Sequence, residues 1–117
     1  MTAPLRIGIA GLGTVGVGLL ELIAAHDDLL ERRAGRPLQV SAVSARDKAK
    51  DRGVDLSAFD WYDDARELAA AGSVDVVVEL IGGSDGVAKE TVEAAIANGK
   101  SVVTANKALI VNLSAMR

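Results

Sequence analysis

The sequence predicts an α/β fold built on a doubly wound parallel sheet, and three observations support it. Apolar strand-like segments alternate with segments of helical periodicity, an order that favours parallel strands joined by right-handed helical crossovers. Two of these segments, Leu5–Ala10 and Val74–Ile81, are mostly apolar, as in strands buried on both faces. A glycine-rich turn follows the first of them directly. With 117 residues, half of them apolar, the chain suits one such domain with one core.

The first half of the chain is predicted to hold one long helix and one strand after the first strand. The helix is expected over Thr14–Arg33 and is stopped by Gly35 and Pro37. Leu38–Ser44 alternates apolar and polar residues and predicts the second strand, and the polar segment Ala45–Ser57 predicts a loop. The helix is expected to bury the apolar residues that recur at helical spacing: Val15, Leu19, Leu22, Ile23 and Leu30.

The middle of the chain predicts a short strand and a short helix. Phe59–Tyr62 contains the aromatic residues and predicts the third strand. Asp63 or Asp64 is expected to cap a helix that runs through Ala71 and is ended by Gly72.

The last third predicts two further strands around one helix. Val74–Ile81 is the fourth strand, and a helix capped by Ser84 or Asp85 is expected to run to Asn98. Ser101–Thr104 is the fifth strand, and another helix is expected to start within residues 106–117. The buried stripe of the helix is predicted at Ala88, Val92, Ala95 and Ile96.

In this fold the first strand lies centrally, and a ligand binds beyond the carboxyl ends of the strands. We therefore expect Gly11, Ser44, Ile81 and Thr104 on one rim of the sheet.

Composition excludes several classes of function. The absence of cysteine removes disulfides, thiolate metal sites and a cysteine nucleophile, and no metal site is predicted. A net charge of −3 provides no basic surface for nucleic acid or an anionic membrane. The apolar stretch Ile7–Ala25 approaches membrane-spanning length, but its five glycines make it a poor isolated helix, and it lacks the flanks of a signal peptide. A cytoplasmic protein with a small-molecule or protein partner is expected.

The glycine-rich turn predicts a Rossmann-type dinucleotide site. Its sequence is Gly11-Leu12-Gly13-Thr14-Val15-Gly16, a G-x-G-x-x-G pattern between a strand and a helix. The first glycine permits the tight turn, the second lets the backbone approach a pyrophosphate, and the third lets the helix pack on the sheet. The helix N-terminus then attracts the anion. The alternative is a glycine turn that only packs the helix on the strand.

The end of the second strand bears on the choice of cofactor. The sequence there is Ser44-Ala45-Arg46-Asp47, with no acid at the last position of the strand. A small hydroxyl residue followed by Arg46 suits a 2′-phosphate and favours NADP. Asp47 keeps NAD open, and Arg46 as a solvated surface charge is the other interpretation.

Three further residues with ionisable side chains are candidates for a functional role. Lys107 follows the last strand in Thr104-Ala105-Asn106-Lys107, where it could orient a carbonyl substrate, bind a cofactor phosphate or move a proton; the alternative is a surface lysine. Glu79 lies within an apolar run and is either a buried carboxylate near the cofactor or a residue of the sheet's rim. His26, beside two aspartates, is interpreted as a solvated surface residue.

Together these segments resemble the cofactor-binding domain of homoserine dehydrogenase. The resemblance covers nearly all of the chain to about Ile110 and is specific in its last two blocks. The matching segments are residues 9–16, 36–37, 52–55, 76–83 and 98–109.

The resemblance implies reversible hydride transfer between a nicotinamide cofactor and the pair of L-homoserine and L-aspartate 4-semialdehyde, in the biosynthesis of threonine and methionine. Gly13, Thr14 and Val15 would hold the pyrophosphate, and Arg46 would meet the adenosine ribose or its phosphate. Ile81 and Gly82 would lie by the nicotinamide ribose. Lys107 matches the lysine at the junction of cofactor and substrate, with Thr104, Ala105 and Asn106 leading to it.

The sequence departs from the family's pattern after Ile110, where a helix rich in His, Gly and Glu is expected. The substrate and dimerisation domain is expected to be absent from residues 1–117, so oligomers would form only through that missing part. The isolated chain is then expected to bind cofactor weakly, if at all, and to turn over little or no homoserine, because only part of the positioning machinery is present. A dinucleotide-sensing module without catalysis is the alternative function, and a lysine beside the nicotinamide would argue against it.

Overall fold

A computed structural model describes residues 3–48, 50, 52–81 and 86–104. This part of the chain contains five strands and four helices. In order they are β1 (Leu5–Ala10), α1 (Thr14–Ala25), α2 (Asp27–Ala34), β2 (Leu38–Ser44), β3 (Asp60–Tyr62), α3 (Ala65–Ala70), β4 (Val76–Glu79), α4 (Val87–Ala97) and β5 (Ser101–Thr104). The helix expected within residues 106–117 lies outside the described residues.

All five strands belong to one parallel sheet with the order β3-β2-β1-β4-β5. The chain moves outward from β1 to β3 and then crosses to the other side of β1, so the topology reverses next to the central strand. This arrangement confirms the predicted doubly wound α/β fold and the central position of β1. One irregularity shifts the register of β1 against β2 between Ile7 and Gly8.

The core lies on both faces of the sheet because β1 alternates its side chains between them. Ile7 and Ile9 pack with Leu20 and Ile23 of α1 on one face. On the other face Gly8 leaves room for α3, since a Cβ atom at Gly8 would lie 2.7 Å from Leu68 Cδ2. The core of this second face consists of Ala42, Leu68, Ala69, Val74, Val77 and Ala95.

The single helix predicted over Thr14–Arg33 is wrong, because the structure divides it at His26. His26 has φ −125° and ψ 27°, closes α1 through a hydrogen bond to the Leu22 carbonyl, and precedes α2. None of the residues of α2 is fully buried, and the half-buried Leu30 packs against the core as predicted, so burial contributes little to the stability of this segment. Two acids in its first turn and two arginines in its last turn complement the helix dipole instead. His26 itself is exposed, as predicted.

The buried face of α1 differs from the predicted stripe. Gly16, Leu20 and Ile23 are buried, whereas Val15 is 66% and Leu22 51% exposed. The prediction followed side-chain hydrophobicity, but the closest approach of the helix to the sheet is made by a glycine. Ile23 is buried and Leu19 packs half-buried against the core, as predicted, whereas Val15 and Leu22 lie outside the core.

The second half of the chain follows the prediction with shorter elements. β3 starts at Asp60, and β4 covers Val76–Glu79, because only these residues pair with neighbouring strands. The side chain of Asp64 caps α3, as one of the two predictions had it.

The cap of α4 was wrongly predicted. Gly86 occupies the N-cap position with φ +69°, while Ser84 and Asp85 lie outside the described residues. Ile96 is 48% exposed, and Thr91 takes a buried position on this helix instead. The Thr91 hydroxyl donates to the Val87 carbonyl at 2.6 Å, which satisfies its polar atom without a partner from another element. None of the helices in the described residues is long and apolar enough to cross a membrane.

Candidate functional site

The carboxyl ends of four strands form a continuous row. Ala10 of β1 pairs with Ser44 of β2 and with Glu79 of β4, and Glu79 pairs with Thr104 of β5. Backbone hydrogen bonds of 2.8 Å extend the row by one residue, from Gly11 N to the Ser44 carbonyl and from Leu80 N to the Ala10 carbonyl. The described residues of the predicted rim, Gly11, Ser44, Ile81 and Thr104, therefore lie at the same edge of the sheet.

Gly11 makes the turn out of β1. Its φ of +108° is a conformation that favours glycine. A Cβ atom at this position would lie 2.9 Å from the carbonyl carbon and oxygen of Leu80. The turn therefore needs glycine both for its dihedral angle and for its close contact with the end of β4.

Gly16 brings α1 onto this turn. A Cβ atom at Gly16 would lie 2.1 Å from the Gly11 carbonyl oxygen, a distance that no side chain can accept. Leu12, between the two glycines, is only 5% exposed, and its side chain belongs to the core. What Leu12 offers to a ligand is therefore its backbone.

Gly13 is the open position of the turn. Its φ of −76° is ordinary, and a Cβ atom there would meet none of the described residues within 4 Å. The space above Gly13 is therefore free for a ligand that approaches the backbone closely, as the second glycine of a dinucleotide-binding turn requires.

The N-terminus of α1 offers backbone donors next to this space. Gly13 is the N-cap, and within the described residues no side chain accepts a hydrogen bond there. The first intrahelical bond of α1 runs from Val17 N to the Gly13 carbonyl, so the N–H groups of Thr14, Val15 and Gly16 precede the helical ladder. Thr14 and Val15 are exposed, and the first turn contains no acid. Free N–H groups and a positive helix end fit a pyrophosphate.

At the end of β2 the Ser44 hydroxyl is buried, and in the turn that follows the Arg46 guanidinium group is exposed. Ser44 is 3% exposed, whereas Arg46 is exposed in the turn that follows. In the part of the chain that the structure describes, Arg46 takes part in no ion pair. Its guanidinium group is therefore available at the same edge as the glycine turn.

Glu79 is completely buried at this edge, which favours the first of its two predicted placements. Its Oε1 accepts a hydrogen bond from Ile81 N at 2.7 Å, and its Oε2 accepts one from Thr104 Oγ1 at 2.6 Å. Glu79 is not among the predicted cofactor-binding residues. The signal that could have included it is an acid within a β-branched run at the end of a strand.

Four residues of the predicted site, Gly82, Ala105, Asn106 and Lys107, lie outside the described residues. The structure therefore brings together the glycine turn, Ser44, Ile81 and Thr104, with Arg46 in the turn after β2.

A separate cavity of about 400 Å³ lies beside the outer strand β3. Arg52 stacks near it, with its guanidinium carbon 5.7 Å from the centroid of the Trp61 ring. None of the lining residues belongs to the glycine turn; they are Lys48, Leu56, Ser57, Phe59, Asp60 and Trp61.

Comparison with known proteins identifies relatives along nearly the whole chain. Homoserine dehydrogenase of Methylobacillus glycogenes is 45% identical over 107 residues, which are 92% of this chain and 26% of that protein. The enzyme of Neisseria gonorrhoeae is 46% identical over the same share of this chain and 24% of its own length. The chain thus spans about a quarter of the length of these relatives.

A solved structure supports the same relationship. The homoserine dehydrogenase of Thiobacillus denitrificans superposes with a TM-score of 0.85 at 38% identity, covering 96% of this chain and 26% of that one. The family model of the homoserine dehydrogenase NAD-binding domain matches residues 11–116. A nicotinamide dinucleotide is therefore the cofactor class of this fold, and the chain belongs to the family of homoserine dehydrogenase NAD-binding domains.

Proposed function

We propose that the chain supplies the cofactor site of a homoserine dehydrogenase, which interconverts L-homoserine and L-aspartate 4-semialdehyde with a nicotinamide cofactor. The observation that carries this proposal is the open space above Gly13 beside the uncapped N-terminus of α1. A turn that served only packing would need Gly11 and Gly16 but not an unfilled position between them. The relatives named homoserine dehydrogenase supply the reaction.

In this proposal the pyrophosphate lies over the glycine turn. The backbone of Gly13 and the N–H groups of Thr14 and Val15 donate to its oxygens, and the dipole of α1 stabilises its charge. When bound, the nicotinamide accepts or donates the hydride, and the protein's part is to hold and orient the cofactor.

We propose NADP as the preferred cofactor. A 2′-phosphate on the adenosine ribose would lie near the end of β2, where the exposed Arg46 offers a guanidinium group that binds phosphate through two donors. The last residue of β2 is Ser44, so this position has no carboxylate that could accept hydrogen bonds from the two hydroxyls of an NAD ribose.

The nicotinamide half is assigned to the ends of β4 and β5. Ile81 and Gly82 would contact the nicotinamide ribose, and Thr104, Ala105 and Asn106 would lead the chain to Lys107. Lys107 would orient the substrate carbonyl or move a proton there. Gly82 and Lys107 enter this proposal through the resemblance to the family.

Homoserine turnover is proposed to require more than these residues. The chain corresponds to about a quarter of its relatives, and on the family's pattern the residues that grip homoserine and form the dimer belong to the remaining part. We therefore expect the purified chain to bind cofactor while reducing little or no NADP with homoserine. We place the reaction in the cytoplasm, where nicotinamide cofactors are exchanged among biosynthetic enzymes.

A titration of the purified chain with NADPH and NADH tests the proposal, with nicotinamide fluorescence as the readout. The wild-type chain should bind NADPH more tightly, and Arg46→Ala should lose about tenfold in NADPH affinity with little change for NADH. Arg33→Ala, which removes an exposed arginine of α2, is the matched control and should change neither.

Two results would contradict the proposal at different points. Equal binding of both cofactors, unaffected by Arg46→Ala, would remove the NADP preference but leave the dinucleotide site. Absence of binding for both would reject the cofactor site in this chain.

A further inference from the structure

Glu79 occupies a position where stability alone favours an apolar residue. It is fully buried in β4, between β1 and β5, and no other acidic or basic residue is buried in the described ranges. Burying a carboxyl group costs free energy unless its oxygens find donors. Both oxygens of Glu79 have one, so a buried network has been built around this residue.

The two hydrogen bonds of Glu79 connect the carboxyl ends of β4 and β5. One holds Ile81 N, which fixes the backbone immediately after β4, and the other holds the hydroxyl of Thr104, the last residue of β5. Thr104 also pairs with Glu79 across the sheet, so the side-chain bond reinforces the backbone register at its last position. Glu79 thus bridges the two points at which the chain leaves β4 and β5.

Ile81 and Thr104, at the ends of β4 and β5, lie on the side of β1 opposite to β2 and Arg46. Gly82 follows Ile81 directly, and residues 105–107 follow Thr104. In the proposed function both segments serve the nicotinamide half, whereas Gly13 and Arg46 serve the pyrophosphate and the adenosine half. A residue that acts only on the ends of β4 and β5 should affect the binding of the nicotinamide half and leave the binding of the adenosine half unchanged.

We propose that Glu79 is a positioning residue whose buried carboxyl group, bonded to Ile81 N and Thr104 Oγ1, holds the ends of β4 and β5 in the arrangement that binds the nicotinamide half of the cofactor. This inference rests on the proposed function and deepens it. Glu79 acts through Ile81 and Thr104 and needs no contact with the cofactor.

The experiment compares two ligands on the purified chain by calorimetry: NADPH, and adenosine 2′,5′-bisphosphate, which lacks the nicotinamide half. Glu79→Leu removes both hydrogen bonds and should weaken NADPH binding about tenfold while leaving the bisphosphate unchanged. Glu79→Gln should bind both ligands as the wild type does, because its amide oxygen still accepts from Ile81 N and its amide nitrogen donates to Thr104 Oγ1.

Thr104→Val provides a second, milder variant that does not depend on the folding of Glu79→Leu. It removes one of the two bonds and should weaken NADPH binding about threefold, again without affecting the bisphosphate. Thr91→Val is the matched control, since it removes a buried hydroxyl bond within α4, away from the rim, and should leave both affinities unchanged.

The outcomes separate this inference from the proposed function. Equal loss of both ligands in Glu79→Leu, failure of Glu79→Gln to retain NADPH binding, or wild-type affinity in Thr104→Val would each overturn the positioning role. If Glu79→Leu does not fold, the Thr104→Val result decides. A wild-type chain that binds neither ligand would reject the proposed function, and this inference with it.

Discussion

Two helices, α1 and α3, begin at the same edge of the sheet, but they differ in whether a side chain caps the N-terminus. α1 follows β1 and begins at Gly13, with no capping side chain among the described residues and no acid in its first turn. α3 follows β3 and is capped by Asp64, whose carboxylate accepts from Arg66 N at 2.9 Å. Arg66 binds the same carboxylate and also reaches Glu90 of α4 at 2.7 Å.

The difference shows which of the two ends is available to a ligand. The positive end of α3 is satisfied by the protein's own acids, so an added anion would meet negative charge there. Within the part of the chain that the structure describes, no side chain pairs with the donors at the N-terminus of α1, and the space above Gly13 is open. A helix N-terminus left uncapped loses stability that a cap would provide, and the proposed pyrophosphate restores that stability when it binds.

The largest expected effect comes from Gly16→Ala, which breaks the α1 turn itself. The added Cβ would lie 2.1 Å from the Gly11 carbonyl oxygen, so α1 must move away from the sheet. We expect a loss of about 3 kcal/mol in the free energy of unfolding, as for overpacking of a rigid contact. Urea unfolding followed by circular dichroism measures it, and a loss below about 1 kcal/mol would mean that the turn adapts easily.

Gly13→Ala should affect binding and leave the fold intact. The new methyl group meets no atom of the described residues within 4 Å, but it projects into the space proposed for the pyrophosphate. We expect about thirtyfold weaker NADPH binding, roughly 2 kcal/mol, with a loss of about 1 kcal/mol or less in the free energy of unfolding, because glycine is preferred over alanine at an N-cap.

The matched control for Gly13→Ala is Gly18→Ala, in the same helix. Its methyl group also has open space, and alanine replaces glycine inside a helix. It should stabilise the chain by about 1 kcal/mol and leave NADPH affinity unchanged. Unaltered NADPH affinity in Gly13→Ala would show that the ligand does not approach this glycine.

A substitution at the N-terminus of α3 should lower stability and leave NADPH binding unchanged, unlike Gly13→Ala, which should weaken binding. Asp64→Ala removes the cap and should cost about 1 kcal/mol of stability while leaving NADPH affinity unchanged. Asp64→Asn keeps an oxygen that can accept from Arg66 N and should recover most of that loss. Chemical denaturation and NADPH titration of the same preparations would decide. A fall in NADPH affinity in Asp64→Ala would contradict the separation of the two ends.

The smallest effect is a pH dependence that arises from α3 and the opposite edge of the sheet. Hydrogen bonds from the Arg66 side chain, and then from its backbone, hold the pKa of Asp64 below its usual value. The Arg6 side chain lowers the pKa of Asp75, just before β4, to about 2. Both carboxyl groups are more acidic in the folded chain, so their contribution is complete above about pH 4 and is lost as the pH falls towards 2.

Each contribution should be about 1 kcal/mol or less, since both side chains are 34% exposed and screened by solvent. Urea unfolding between pH 5 and pH 2.5 measures it. Asp75→Asn should flatten the profile more than Glu93→Gln, which alters an exposed acid of α4. Identical profiles for the wild type and Asp75→Asn would show that this ion pair contributes nothing.

Much of the fold could be predicted because its signals are local. The strand boundaries of β1, β2 and β5 follow from short apolar runs bounded by glycine, proline or polar residues. The capping role of Asp64 follows from its place before a helical segment. The glycine turn could be assigned before any contact was known, because its pattern between a strand and a helix specifies the role of each glycine.

The misplaced predictions concern features that depend on distant residues. The face of α1 was predicted from its apolar side chains, yet the contact that orients the helix is the bare backbone of Gly16 against Gly11. At the break at His26, α2 buries none of its residues fully and contacts the core through the half-buried Leu30, and the helical pattern of residues 27–34 does not reveal that. The extent of β4 depends on which of its residues find partners in β1 and β5.

The sequence by itself determined the order of the strands, the position of the dinucleotide turn and the family. These features depend on local signals, namely periodicities of two and 3.6 residues and a six-residue glycine pattern, which involve only residues close together in the chain. Only the tertiary structure decided what Glu79 does. Its two oxygens bind residues 2 and 25 positions away, and the second bond exists because the register of β4 and β5 sets Glu79 opposite Thr104. A register is a property of paired strands, and a single strand's sequence does not contain it.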